Sequence, residues 1–425
     1  MMSGEECLKD KNMHSVNESV IFWTAAFSTV EKIMAPLMFL LAYVYVYMST
    51  TNITKILFDY LLVTFTVGFL AYGEAMYWNR KRSGESILFF VLTVLIAVAA
   101  CFGIGRVWDD YAKIFFLHLF AVYWVLERSG CLTKGETSHM FAWDGFNAFV
   151  TMPFVNYGLW AATLVQSVFQ GKRKNFFRSA VSIAAIIIGL ILFAISMAFL
   201  KESDANFAAF MDNFKFRLDF LTVYRVILCL FVASYLYGLF GGCFRAKSEY
   251  VKKPGEWADF IFTKINKVPN GVWMGMIALF SVFYIVYFAL QGSYMLDAFA
   301  MLLPEKYTFS EYARRGFGEM CAVMIVNFIL MWFAFRTAEK KSMSLKIFGA
   351  ALMAESLVFA LIAFLKLLMY IQAYGFTPLR LQSVWLVLVL SYACVCIPVS
   401  IFTGKKTAKY WFDGSALTLA VLTLV

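Results

Sequence analysis

The stretch YTFSEYARRGFGEM, residues 307–320, gathers Glu311, Arg314, Arg315 and Glu319 at the mouth of an apolar run. On a helix Glu311, Arg315 and Glu319 fall at i, i+4 and i+8 on one face, and Arg314 stands at i+3 from Glu311. Guanidinium groups so placed suit a carboxylate or phosphate. Thr308 followed by Glu311 matches a capping box, so a helix is expected to start here and run unbroken into the next span. Fully in water such a charge ladder is worth only ~0.2–0.5 kcal/mol per pair. Its lower end, however, enters the apolar run. There an ionised Glu319 needs a partner or water, and Gly316 and Gly318 admit close approach of another backbone.

A second stretch, KLLMYIQAYGFTPLRLQSVW at 366–385, ends one apolar run and begins the next. Gly375 suits the left-handed position that closes a helix, Thr377 an N-cap and Pro378 the first helical position, which makes a tight hairpin. Arg380 then lies in a first turn, where the positive end of the helix disfavours a cation. Such an arginine wants Glu319, Glu311 or a ligand anion. Together Glu311, Arg314, Arg315, Glu319, Tyr374 and Arg380 form an expected pocket on the outer face for an anionic envelope ligand.

Further polar residues lie inside apolar runs. Glu355 and Lys366 are eleven residues apart, so they share a helix face about 16 Å apart along the axis. A charge at the centre of a span costs about 2.5–3.5 kcal/mol, which makes Glu355 a functional candidate. Lys366 lies near a helix end and can snorkel. His118, close to Asp109, Asp110 and Lys113, has the chemistry of a proton relay or of a structural histidine facing its neighbours. Asn327, two turns below Glu319, extends the polar face inward or bonds another helix. Glu74 is expected to pair with the basic run at 80–82.

No catalytic signature accompanies these groups. The three histidines sit outside any HExxH pattern, and no GxSxG or Walker loop is present. The eight cysteines show neither CxxC nor Cys/His metal spacing and read as small apolar fillers. No catalytic residue, metal or cofactor is implied.

The elements that position these side chains are membrane spans. The 425-residue chain is 62% apolar, 19% aromatic and only 15% charged, with mean hydropathy +0.72. Soluble domains are roughly 45–50% apolar and 25% charged. The long apolar runs lack the period-2 alternation of barrel strands. The class is therefore all-α: a polytopic transmembrane helical bundle of about 10–11 spans. Spans are expected at 33–49, 54–77, 86–105, 110–126, 179–200, 221–243, 272–291, 317–335, 346–371 and 384–402. The stretch 410–425 is marginal for ~30 Å of hydrocarbon. Residues 140–170 carry Asp144, Asn147, Pro153 and Asn156 among aromatics and read as an interfacial or re-entrant segment.

With a cytoplasmic N-terminus, the inside loops hold more than twice the Lys and Arg of the outside loops. That pattern explains the +10 net charge as loops facing anionic lipid, without nucleic acid. The first 19 residues are polar, and no cleavage site follows the first apolar run. The organisation is a cytoplasmic segment, 1–32, followed by one integral domain, 33–425, with the charged motifs in 304–402.

The two charged stretches carry a resemblance. The chain resembles the bacterial polytopic family catalogued as domain of unknown function 4173, with its relative 4153. That family has a Tyr-x-Glu-Tyr-x-x-x-Gly-(Phe/Tyr) element, which maps here onto Glu311, Tyr312 and Gly316. Its Tyr-Gly-(Leu-like)-Thr-x-x-Arg element maps onto Tyr374, Gly375, Thr377 and Arg380. Phe376 stands where leucine is usual, and Lys366 where arginine is commoner. The first 300 residues match in general character and in DGFNAFVTMPFVN. The resemblance implies a multipass protein of the bacterial cytoplasmic (inner) membrane and brings no activity. Four readings follow: an anionic-ligand binder, a secondary transporter using Glu355 and Lys366, a membrane scaffold or signalling component with unidentified protein partners, and an envelope-lipid-modifying enzyme, for which no motif speaks. Membrane lipid is the common partner.

Overall fold

The computed structural model describes residues 27–168, 220–245, 268–290 and 317–425, together with 308, 311 and scattered positions between 189 and 203. The expected span at 179–200 lies mostly outside the described residues. The described chain is almost wholly helical, and its only strand-like pairing is an isolated bridge between Val268 and Ala338.

In chain order the helices are α1 (Thr29–Thr50), α2 (Lys55–Met76), α3 (Gly84–Cys101), α4 (Asp110–Ser129), α5 (Phe141–Val155), α6 (Leu159–Val168), α7 (Phe220–Arg245), α8 (Asn270–Leu290), α9 (Phe317–Thr337), α10 (Met343–Tyr374), α11 (Pro378–Thr403) and α12 (Thr407–Leu422). Among the described residues eight are long and apolar enough to cross a membrane: α1, α2, α3, α7, α8, α9, α10 and α11. This is the fold of a multipass α-helical membrane protein. The count is below 10–11 for three reasons. Residues 179–200 are not fully described, α4 carries charge at both ends, and α12 has only 16 residues. The bent pair α5–α6, broken by 47°, falls where the re-entrant segment is expected and would make a ninth crossing.

The described residues group into two compact units. One comprises Met1–Phe90, His118–Cys131 and Trp143–Pro254; the other Val91–Leu117, Leu132–Ala142 and Gly255–Val425.

In the first unit α7 packs on α1, α5 and α6. Glycines make the approach to α5–α6 close. A Cβ on Gly238 would stand 2.4 Å from the Pro153 carbonyl oxygen, and one on Gly242 2.4 Å from the Asn156 amide nitrogen. Small residues are how apolar helices bring backbones together where lipid gives no hydrophobic drive. Pro36 lies inside α1, and the two carbonyls just before it accept side-chain donors: Tyr72 Oη to Met34 (3.0 Å) and Trp160 Nε1 to Ala35 (2.8 Å).

In the second unit α10 packs against α8, α9 and α11. Two apolar clusters form. One holds Met320, Met324, Phe359, Ala363 and Leu390; the other Ile277, Met331, Leu345, Leu352 and Met353. The loop at 103–106 meets the end of α12 at Gly105, where φ is +76° and a Cβ would also collide with the Thr423 carbonyl. Lys113, 2% exposed, closes that loop by donating to the carbonyls of Ile104 and Gly105.

Candidate functional site

The second unit carries a polar layer between its two apolar clusters. Asn327 stands at the middle of α9, between Met324 and Met331, and Ser356 of α10 lies between Met353 and Phe359. Asn327 is fully buried. Its Nδ2 donates to Ser356 Oγ (2.9 Å), and its Oδ1 accepts from the Tyr284 phenol of α8 (2.8 Å). Ser356 in turn donates to the Leu352 carbonyl one turn back. Three helices are thus tied by one network in which every named bond has ordinary length.

Glu355, next to Ser356 on α10, completes the layer. Its carboxylate lies near Ser281 and Tyr284 of α8, close enough to act on both electrostatically. Yet Oε2 is buried and accepts no hydrogen bond, and Ser281 Oγ likewise makes none of ordinary geometry. A buried carboxylate oxygen with no donor is costly, and the cost grows where no water competes. The layer is about 18 Å along α10 from its first residue, well inside the span.

The expected outer pocket is described only in part. Thr308 and Glu311 form the capping box: Thr308 N donates to Glu311 Oε2 (3.1 Å) and Glu311 N to Thr308 Oγ1 (3.3 Å). Arg314 and Arg315 lie outside the described residues. Glu319 is exposed in the first turn of α9. The hairpin between α10 and α11 has Gly375 closing α10 at φ +74°, Thr377 at the N-cap and Pro378 beginning α11. Arg380 reaches back over this turn. It donates to the carbonyl of Tyr374 (2.9 Å) and to that of Gly375, and its guanidinium lies 3.9 Å from the centre of the Tyr370 ring. It therefore binds the carbonyl end of α10, where a cation is favoured, and this offsets its place in the first turn of α11.

The structure thus brings Glu355 and Asn327 into one layer, and Tyr374 and Arg380 into one turn. Lys366 belongs to neither. It is 3% exposed, so it is buried rather than extended along the span to the surface. His118 lies in the first unit, edge-on to the Tyr45 ring at 5.7 Å.

Several described charges of the first unit serve helix ends. Glu74 pairs with Arg82, as expected, and also with Arg128 of α4, each at 2.9 Å. Arg80 donates to the carbonyls of Ser129, Cys243 and Phe244, capping the ends of α4 and α7. Beside it the Cys131 thiol donates to the Cys243 carbonyl (3.2 Å). Side-chain hydrogen bonding with the Cys243 thiol, aided by the Arg80 guanidinium, holds the Cys131 thiol below the ordinary thiol range.

Ser281, Tyr284 and Ser356 were missed by a search of the sequence for charge and histidine. The available signal was weaker: hydroxyls and an amide recurring within otherwise apolar spans.

Comparison with protein families supplies the remaining observation. The model of the family described as Domain of unknown function (DUF4153) matches residues 37–425. The chain belongs to this family. The resemblance drawn from the motifs put 4173 first and 4153 as its relative; the family shown is DUF4153. No curated protein and no solved structure matches the chain. The DUF4153 match takes in both units and both hairpin motifs, and it assigns no activity, so function rests on the geometry.

Proposed function

We propose that this DUF4153 protein is a secondary transporter of the bacterial cytoplasmic membrane, with its N-terminus inside. In this reading Glu355 carries the coupling proton or cation, and the Tyr284–Asn327–Ser356 layer shapes the adjoining solute path. The observation that carries the reading is the buried, undonated Oε2 of Glu355 inside a span. Intramembrane carboxylates persist where they move charge, since a purely structural one is cheaper as an amide. Two further features agree with it: a polar layer contributed by three helices, and a bent helix pair of the kind transporters use to line pathways.

The test is reconstitution in liposomes enclosing a pH-sensitive dye, challenged with a panel of neutral and anionic solutes. A solute that shifts the interior pH with wild type but not with a folded Glu355→Gln variant supports the proposal. Identical traces from wild type, Glu355→Gln and empty liposomes contradict it.

A second reading keeps Glu311, Arg314, Arg315, Glu319, Tyr374 and Arg380 as a pocket for an anionic envelope ligand. It is favoured by the exposed turn at Tyr374 and Phe376, beside which the Arg380 guanidinium lies over the Tyr370 and Tyr374 rings. Its test is lipid analysis of the purified protein. A phosphate-bearing lipid retained by wild type and lost from Arg380→Ala supports it.

A further inference from the structure

The first unit carries an arginine whose partners are neutral. Arg225 lies half-buried in the second turn of α7, at the end of the unit where α1 finishes and the turn 51–54 leads into α2. Its Nε donates to Thr50 Oγ1 (3.1 Å) and its Nη2 to Thr51 Oγ1 (2.8 Å). The guanidinium also lies 5.2 Å from the centre of the Tyr47 ring, which stacks on the exposed Tyr43.

The other described arginines of this unit have negative partners. Arg82 and Arg128 share the Glu74 carboxylate, Arg245 holds Glu31, and Arg80 takes three helix-end carbonyls. Among the described residues no carboxylate pairs with Arg225, and the turn 51–54 is itself uncharged. A guanidinium offers five N–H donors in a rigid fork. The two hydroxyls take one from Nε and one from Nη2, which leaves Nη1 uncommitted among the described residues. Thr50 spends its own proton on the Val46 carbonyl (2.7 Å), whereas Thr51 Oγ1 accepts from Arg225 and keeps its proton to give. Two neutral oxygens satisfy part of the geometry and none of the charge. An oxyanion would satisfy both, through charge-assisted bonds about twice as strong as neutral ones.

The surroundings select the anion. Tyr43, Tyr47 and Tyr224 stand at this end of α1 and α7, with Leu221 and Val226 exposed beside them in sequence. Tyrosines gather at the headgroup level of a bilayer, with apolar neighbours facing the acyl chains. We propose that Arg225 and Thr51 bind the phosphate of an anionic phospholipid headgroup at the membrane face where α1 ends. Tyr47 holds the guanidinium in position. One net negative charge on the headgroup balances the one positive charge of Arg225. A zwitterionic headgroup brings its own cation next to the phosphate and so gains less. The site shares no residue with the pocket at Arg380 or with the layer around Glu355.

The test uses the full chain in detergent, with phosphatidylglycerol, phosphatidylcholine or sodium phosphate added. Native mass spectrometry counts bound lipid, and thermal unfolding follows its effect. Wild type is expected to keep a phosphatidylglycerol adduct that phosphatidylcholine does not replace, with a saturable rise in Tm. Arg225→Gln should need about tenfold more lipid, as for the loss of a hydrogen bond to a charged group. Arg225→Lys keeps the charge without the fork and should fall between the two. Thr51→Val should need about threefold more lipid. Because it leaves Arg225 bonded to Thr50, it serves should the Arg225 variants fail to fold. Arg380→Ala and Glu355→Gln should keep the adduct. A purely structural tie between α1 and α7 would lower the lipid-free Tm of Arg225→Gln and leave its lipid response intact. That result would overturn the proposal, as would an equal response to phosphatidylcholine, a full response to sodium phosphate alone, or undiminished binding by Thr51→Val.

Discussion

Two carboxylates, Glu31 in the first unit and the half-buried Glu355 in the second, differ in their company. Glu31 in the first unit is 2% exposed and fully engaged. It closes a capping box with Ser28 at the start of α1 and accepts from the Arg245 guanidinium at the end of α7. That arginine also lies 4.0 Å from the centre of the Phe27 ring. Glu355 in the second unit has hydroxyls beside it, and one of its oxygens is bare. A carboxylate clamped by a guanidinium at a helix end fixes architecture. One with an undonated oxygen inside a span is not clamped in that way.

The largest effect that would sharpen this contrast is at Glu31. Glu31→Gln removes the carboxylate charge from the largely buried Arg245 pair and should destabilise the protein by about 3–5 kcal/mol in denaturant titration. Glu355→Gln should change stability by less than about 1 kcal/mol, because no ion pair is broken. Equal losses at the two positions would erase the distinction.

Next comes the layer around Glu355. Asn327→Leu removes the partner of both Tyr284 and Ser356 and should cost about 1–3 kcal/mol, the range for stranding buried polar groups. Tyr284→Phe loses one hydrogen bond and should cost about 0.5–1.5 kcal/mol. If neither shifts the unfolding midpoint, the three helices are not tied through these side chains.

These polar contacts bear on how much the sequence discloses. Most span positions were legible, because apolar runs of about 20 residues leave few alternatives in hydrocarbon. The hairpin at 374–380 was legible too, since glycine, threonine and proline each have one favourable place there. The partners of Arg380 were not. Sequence spacing suggests a carboxylate, whereas the guanidinium binds the carbonyls of the turn it follows. Asn327 could be flagged as an amide inside a span. Its pairing with Tyr284, 43 residues earlier, depends on which faces α8 and α9 turn to each other, which near-uniformly apolar helices do not encode. Residues Asn147–Thr151, wound as a π-helix within α5, were legible only as an unusually polar stretch.

The hairpin itself should respond modestly. Gly375→Ala forces a side chain into a positive-φ position and should cost about 1–3 kcal/mol. Arg380→Ala should cost about 1 kcal/mol through lost carbonyl bonds. Were Arg380→Ala to abolish transport while Glu355→Gln did not, the functional weight would move from the span to its outer end.

The smallest effect is expected at the loop carboxylate Glu136. Its hydrogen bond with Lys406, aided by Lys409, holds its pKa below the usual carboxylate range. The folded state therefore gains stability above the ordinary carboxylate pKa and loses it as pH falls through the lowered one. Lys406→Ala should be slightly destabilising at neutral pH and silent in acid. A deficit that grows in acid would reverse the assignment.

Carbodiimide labelling followed by peptide mass spectrometry tests the central claim most directly, since an apolar carbodiimide modifies exchangeable carboxyl groups within hydrocarbon. In the wild-type protein Glu355 should be modified readily, and the modification should stop transport, while Glu31, held by Arg245, stays unlabelled in the same sample. A Glu355 that is refractory, or labelled no faster than Glu31, would contradict the account.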